Sequence, residues 1–244
     1  MATPPVRRAL VLAGGDFAPA TLDGLPLEGA RVVCVDRGLV HALAANLAPT
    51  LLVGDLDSVP AELLARPGFA ELPRRVFPAD KDASDLALAL HALADEPEPP
   101  DEVIVAGVSG GRTDHLLFNW FLPARRAWPF ALRLVDASVE AVVVTPERPF
   151  VGVAVVGRTF SLLPLGRVDG VTTRGLRYAL AGATLEPGST LGLSNVVAAG
   201  AVSVEVARGT VLALAGRADP GSGDGGCDNS DERDDDERGN GRQR

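Results

Sequence analysis

In the first half of the chain, aspartate recurs where apolar runs stop. Asp16 follows VLAGG, Asp36 follows VVCV, Asp55 and Asp57 stand in LLVGDLDS, Asp80 and Asp82 in VFPADKD, and Asp114 closes VIVAGVSGGRTD. Runs of this kind are strand candidates, so these acids stand at strand carboxyl ends, which surround the ligand crevice of an open α/β sheet. Any one of them is explained as a turn residue or a helix N-cap. The ensemble is harder to explain that way. Two carboxylates about 4 Å apart repel by roughly 4 kcal/mol at an effective dielectric of 20, so several around one cleft need a cation or take up protons. Hard divalent metal with oxygen ligands meets that need, and Mg²⁺ typically bridges protein carboxylates to nucleotide phosphates while keeping some of its waters. The pattern points to metal-assisted handling of an anionic substrate.

Asp55 and Asp57 have the spacing i, i+2, which in extended backbone turns both carboxylates to one face and Leu56 toward the core; Gly54 permits a tight exit from the strand. Such a pair alone occurs by chance in loops, and directly after an apolar run it gains weight. The segment 80–85, DKDASD, runs into the apolar stretch DLALALHALAD. Ser84 suits an N-cap there, and Asp82 and Asp85 suit the positive end of a helix dipole, an explanation as good as a ligand role for the segment by itself. Lys81 shifts the balance. It is the one lysine among 244 residues, and a flexible ammonium follows phosphate oxygens as a planar guanidinium does not. In 108–119, VSGGRTDHLLFN, Gly110 and Gly111 form a turn at a helix start, where free backbone N–H groups can receive phosphate. The spacing is neither a Walker loop nor a Rossmann fingerprint. Arg112 is placed to meet a phosphate bidentately and Asp114 to order a nucleotide or substrate. His115 shares a helical face with Asn119, and like His41 and His91 it reads as structural.

The elements that must position these residues follow from periodicity. From residue 7 to about 136, the runs RALVLAG, RVVCVD, LLVGD, RRVFPAD, EVIVAG and ALRLVD alternate with helix candidates at 39–47, 85–95 and 113–127, the last interrupted by Pro123. Residues 1–136 therefore form an α/β parallel-sheet domain. Beyond 137 short strand-like runs are separated by glycines and turn residues, with no long helical pattern, so 137–216 form an all-β, sandwich-like domain abutting the first. Residues 217–244 hold nine acids, five bases and almost no apolar side chains, and read as a disordered acidic tail that the folded part can lose without consequence.

Composition excludes several function classes. With a net charge of −9 and 32 acids against 23 bases, the chain lacks the basic surface of a general nucleic-acid binder. No run approaches the roughly 18 apolar residues of a membrane span, and MATPPVRRALVLAGGD lacks the apolar stretch and cleavage site of a signal peptide, so a cytoplasmic location is expected. The two cysteines, Cys34 in an apolar run and Cys227 in the tail, do not suggest a disulfide.

Taken together, GDLDS at 54–58, DKDASD at 80–85 and GGRTDH at 110–115, in this order and spacing, resemble the thiamine pyrophosphokinase family. The resemblance continues through FSLLPLG, GVTTRGLRYAL and GSTLGLSN and covers residues 7 to 215. It implies an ATP- and Mg²⁺-binding α/β domain, a thiamine-binding β-domain, and a homodimer holding thiamine where the subunits meet. By position it makes Asp55, Asp57 and Asp85 metal ligands with Asp82 close by, places Asp36 and Asp114 along the substrate cleft, and sets Ser194 and Asn195 against thiamine. The chain departs from the family pattern in Asp36-Arg37-Gly38 where Asp-Gly-Gly is usual, in Ser84 where threonine is commoner, and in having no aromatic residue over 195–216.

The implied chemistry is in-line attack of a primary alcohol on the β-phosphorus of ATP with AMP leaving, which asks for positioning and charge neutralisation. Asp57, Asp85, Asp114 and Lys81 are the residues expected to serve it, with Gly110, Gly111 and Arg112 at the phosphates; whether Asp57 or Asp114 takes the alcohol proton stays open. Two other readings are a pyrophosphokinase for another alcohol, such as a hydroxymethylpterin, and a catalytically silent thiamine or nucleotide sensor, against which the intact acidic motifs argue.

Overall fold

The computed structural model describes residues 5–78 and 80–217, so the tail from 218 onward, including Cys227, lies outside the described residues. Five short apolar runs and one exposed edge run, Arg74–Val76, make parallel strands: β1 (Arg8–Leu12), β2 (Arg31–Val35), β3 (Leu51–Gly54), β4 (Arg74–Val76), β5 (Glu102–Ala106) and β6 (Ala131–Val135). Successive side chains turn to opposite faces. Leu10, Leu12, Cys34 and Leu52 enter one buried cluster, while Ala9, Val11, Val33 and Val53 enter the other. Near-continuous apolar runs are what a parallel sheet covered on both faces requires. Burial pushes the Cys34 thiol up to about 12, so it remains a neutral core group.

The strands lie in the order β6-β5-β1-β2-β3-β4. Because β5 pairs with β1 on the side opposite β2, the direction of winding reverses between β1 and β5. That reversal opens the crevice at the strands' carboxyl ends.

The connecting helices are α1 (Gly38–Ala44), α2 (Ala61–Leu64), α3 (Asp85–Ala94) and α4 (Thr113–Phe121). The first helix stops short of the expected residue 47, because Asn46 takes a left-handed conformation (φ 54°) suited to a C-terminal stop. Ser84 caps α3 as expected, its Oγ accepting the Ala87 N–H at 3.3 Å, and the helix buries Leu86, Ala89, Leu90 and Leu93 on the sheet. The third expected helix breaks after Phe121 into a 3-10 turn, Leu122–Arg125, that accommodates Pro123.

Beyond β6 the chain turns back at Asp136, whose Oδ1 accepts the N–H groups of Ser138 and Val139 at 2.8 and 2.9 Å. Strand β7 (Val139–Val144) pairs antiparallel with β6. The remaining strands are β8 (Phe150–Val153), β9 (Thr159–Pro164), β10 (Val168–Arg174), β11 (Ala183–Leu185), β12 (Asn195–Val196), β13 (Ala201–Glu205) and β14 (Val211–Gly216). The parallel sheet thus extends through β7-β14-β9-β12 to ten strands, and β11-β10-β13-β8 make a separate antiparallel sheet of four. Phe160, Leu162, Val171, Leu185, Val202 and Val204 fill the core of this second half. The parallel and antiparallel parts match expectation in kind. The two parts meet directly at residue 136, where β7 pairs the free edge of β6 and one ladder runs across.

Arg217, counted with the tail on composition, belongs to the folded part. Its N–H donates to Ser138 O at 2.9 Å, and its guanidinium donates to Thr21 O and Asp23 O at 2.7 and 2.9 Å. A chain ending at Arg217 should keep the thermal midpoint and turnover of the full chain, whereas one ending at Gly216 should lose about 1–2 kcal/mol of stability in denaturant titration. Equal stability of the two truncations would show that these bonds contribute nothing net.

Candidate active site

The site is built from the loops leaving β1, β2, β3 and β5 and the segment entering α3. The β1 and β5 loops run side by side, Gly15 N–H donating to Gly107 O at 2.9 Å and Asp16 N–H to Ser109 O at 2.7 Å. Gly110 (φ +84°) lies so close to the Asp16 carboxylate that a Cβ there would stand 2.1 Å from it. Asp16 therefore packs against the glycine turn of the β5 loop. Position after an apolar run brought it forward in the sequence, but no motif set it apart from an ordinary turn aspartate.

Asp36 ends β2 in a left-handed conformation (φ 45°). Its carboxylate lies over Gly54, where a Cβ would approach Oδ1 to 1.7 Å, and accepts the Leu56 N–H at 3.3 Å. Burial first, then the charge of Asp85, raises its pKa to about 6. Past Gly54, Leu56 adopts φ 64°, so the Asp55–Asp57 pair is not extended as expected. It is a tight turn in which Asp57 N–H donates to Asp55 Oδ1 at 3.2 Å, while Leu56 still packs into the core. Asp55 is held below the usual carboxylate range by that N–H, and exposed Asp57 is raised by its contact with Asp55 and by the Asp55 charge.

The Lys81 ammonium sits between Asp85 Oδ1, at 2.9 Å, and Asp55 Oδ2, at 3.6 Å. Burial alone would lower its pKa, and Asp85, Asp55 and Asp36 more than offset that and raise it. Asp36, Asp55, Asp57, Lys81 and Asp85 are thus gathered in one cluster. Among the described residues no three acid, histidine or cysteine side chains stand as a ready-made metal cage. The donor set still fits Mg²⁺ in kind: Asp55 and Asp85 turn carboxylate oxygens to one shared cation, the Lys81 ammonium, and Asp85 Oδ1 is buried.

Asp82 and Ser84 line one wall of a neighbouring groove of about 540 Å³, and Asp114, His115 and Phe118 line the other. Arg112 was expected to face phosphate. Here it makes a bidentate contact with Asp114, at 3.1 Å through Nε and 2.6 Å through Nη2. That pairing holds the Asp114 carboxyl down at about 2. Both side chains are more than half exposed, so the pair adds little stability and an anion can compete for the guanidinium. His115 is exposed, and Asn119 Nδ2 donates to Val108 O at 3.1 Å. His41 Nε2 lies 2.9 Å from Gly15 O, and the His91 ring packs 5.6 Å from that of Trp128, both structural as expected.

Ser194 and Asn195 lie elsewhere, at the β12 edge of the large sheet. The Asn195 side chain is buried and committed: Oδ1 accepts the N–H groups of Tyr178 and Val196 at 3.1 and 2.8 Å, and Nδ2 donates to Tyr178 O at 2.7 Å. It clasps the 177–178 segment. Ser194 is exposed, beside exposed Leu191 and Leu193. Eight strand steps separate β12 from β3, roughly 38 Å along the sheet at about 4.8 Å per strand.

Residues 27–126 match the family model described as thiamin pyrophosphokinase, catalytic domain, and residues 148–211 the one described as thiamin pyrophosphokinase, vitamin B1 binding domain. The chain belongs to the thiamine pyrophosphokinase family. A curated member, the thiamine pyrophosphokinase of Bacillus subtilis (strain 168), is 28% identical over 208 residues, 84% of this chain and 96% of its own. The crystal structure of thiamine pyrophosphokinase from Bacillus subtilis superposes with a TM-score of 0.71 at 26% identity, covering 87% of this chain and 100% of that one. For the enzyme from Geobacillus thermodenitrificans the TM-score is 0.69 at 26% identity, with 87% and 99% covered. Family members are diphosphotransferases, and the vitamin-binding match over the second half weighs against the hydroxymethylpterin alternative.

Asp36 carries a pH signature. With its folded pKa raised to about 6, the unfolded chain surrenders this proton first as pH rises, and the folded state loses stability between roughly pH 4 and pH 6 before levelling off. Asp36→Asn has no proton to lose. The midpoint of the metal-free variant relative to wild type should climb across that window and stay constant above pH 7. A difference independent of pH would show that Asp36 does not hold its proton.

Proposed function

We propose that the chain transfers the diphosphoryl group of ATP to the hydroxyl of thiamine, releasing AMP. The observation that carries this reading is the carboxylate cluster around Lys81 at the carboxyl ends of β2 and β3, within the stretch that matches the family's catalytic domain. Residues 1–136 supply the nucleotide site and 137–216 the thiamine site, the ladder across residue 136 joining the two. Asp55, Asp57 and Asp85 would hold Mg²⁺, which supplies charge neutralisation at the transferring phosphates. Asp82, Gly110 and Gly111 border the nucleotide, and the Arg112 guanidinium exchanges Asp114 for a phosphate oxygen. Between the two candidate bases, Asp57 is the better proton acceptor, because its pKa is raised while that of Asp114 is held at about 2.

The active unit is a homodimer in this reading. Ser194 lies too far along the sheet to meet the carboxylates of its own chain, so thiamine would bridge one protomer's acids and its partner's 188–195 segment. Two apolar surfaces suit that contact. Helix α4 buries none of its residues and exposes Leu117, Phe118 and Phe121 beside the groove, while Leu191, Leu193 and Tyr178 are exposed at the other end. Among the described residues no helix is long and apolar enough to cross a membrane. The enzyme so proposed is cytoplasmic and takes thiamine and ATP as partners, and neither nucleic acid nor membrane.

Incubation with ATP, Mg²⁺ and thiamine should release AMP, and a hydroxymethylpterin in place of thiamine should not. Release with the pterin alone would overturn the substrate, and release with neither would favour the sensor. Asp57→Asn should fold as stably as wild type, since it removes an exposed charge that its neighbours oppose, and should lose turnover by orders of magnitude. Mixing it with an inactive Ser194→Trp variant, after subunit exchange, should restore part of the activity, because one of the two sites in a mixed dimer is then intact. No recovery despite confirmed exchange would place the whole site within one chain.

A further inference from the structure

A cation already stands in the cluster. The Lys81 ammonium bridges the β3 exit to the start of α3, contacting Asp55 and Asp85 at once, and its side chain is only 14% exposed, with 19% for each carboxylate. It comes from the bend before α3 rather than from a helix, so no hydrogen-bonded backbone frame fixes its stem. Asp36 also bears on the same ammonium. Asp85 Oδ1 faces it at 2.9 Å, and among the described residues the ammonium is its one polar neighbour on that side. Every other basic side chain outside histidine is arginine, whose planar fork would fix itself to the carboxylates more rigidly than a point charge on a flexible stem.

We infer that Lys81 is the built-in counter-ion of the metal-free site, neutralising Asp55 and Asp85 until a divalent cation takes its place, and that the exchange frees the ammonium for the nucleotide phosphates. The inference rests on the metal reading above and deepens it, because ion and lysine compete for the same oxygens. The metal-free protein is thereby kept from the repulsion that an empty carboxylate cluster would impose. Loading of the cation is tied to release of a positive charge at the rim of the site, where ATP arrives. Binding of free metal is weakened by the competitor, and binding of metal together with nucleotide is not, since the phosphates give the displaced ammonium a new partner.

The test uses the full chain without nucleotide, comparing wild type, Lys81→Met and the double variant Lys81→Met/Asp55→Asn. Thermal midpoints are recorded in chelator, and Mn²⁺ binding is followed by the loss of the free-ion resonance. Lys81→Met should melt several degrees below wild type in chelator, recover with Mn²⁺, and bind Mn²⁺ at least about tenfold more tightly, the competitor being gone. The double variant should regain the metal-free midpoint, because one repelling charge is removed, and should lose the metal. Equal Mn²⁺ affinity in Lys81→Met and wild type overturns the competition while leaving the metal site standing. A lowered midpoint with no Mn²⁺ bound by any variant overturns the metal reading and the exchange with it. An unchanged midpoint in chelator overturns the counter-ion role.

Discussion

Repulsion among Asp36, Asp55, Asp57 and Asp85 is the constraint around which the first half of the chain is arranged. The fold gathers these acids because they end neighbouring strands and begin a helix whose amino end attracts negative charge. It then leaves their charge only partly answered. The responses are of three kinds: an Asp36 carboxyl whose pKa is raised to about 6, a backbone N–H and an ammonium directed at Asp55, and the same ammonium set against Asp85. Each lessens the repulsion without burying the carboxylates completely, which keeps them available to a ligand.

Backbone conformation serves the same end. Asp36 and Leu56 both take left-handed conformations, and Gly54 between them has φ +142°. Any side chain at Gly54 would displace the Asp36 carboxylate. Strain of this type is tolerated where the surroundings hold it in place, and here β2, β3 and the Leu56 contact with the core do so.

Much of this was legible in the sequence. Strand ends could be read from apolar runs, and because an open sheet collects its strand ends on one side, the meeting of Asp36 and Asp55 followed from periodicity, whereas Asp85, at a helix start, joined them only through the family resemblance. Ser84 announced its cap by type and position. What escaped depended on side-chain partners that spacing does not encode. Arg112 turns to its neighbour Asp114, Asn195 spends its amide on the backbone of Tyr178, and Leu56 departs from extended geometry to let Asp57 N–H reach Asp55. The continuous ladder through β6 and β7 was hidden for a related reason. A change from helical to strand-rich pattern marks a change in architecture, and it does not say whether hydrogen bonding stops there.

Strand β14 follows every other strand among the described residues, yet it lies inside the sheet, between β7 and β9. During synthesis the ribosome delivers it last. Until then β7 offers an unsatisfied edge to solvent, and the second half cannot close its core, whatever the state of the first. The first half has all six of its parallel strands by Val135 and can assemble early, leaving β7 as the open margin of a growing sheet. Quality control in the cell would therefore meet a half-finished molecule with a competent cleft and a sticky flank, and a nascent chain arrested before residue 211 is the form most exposed to chaperones and to aggregation.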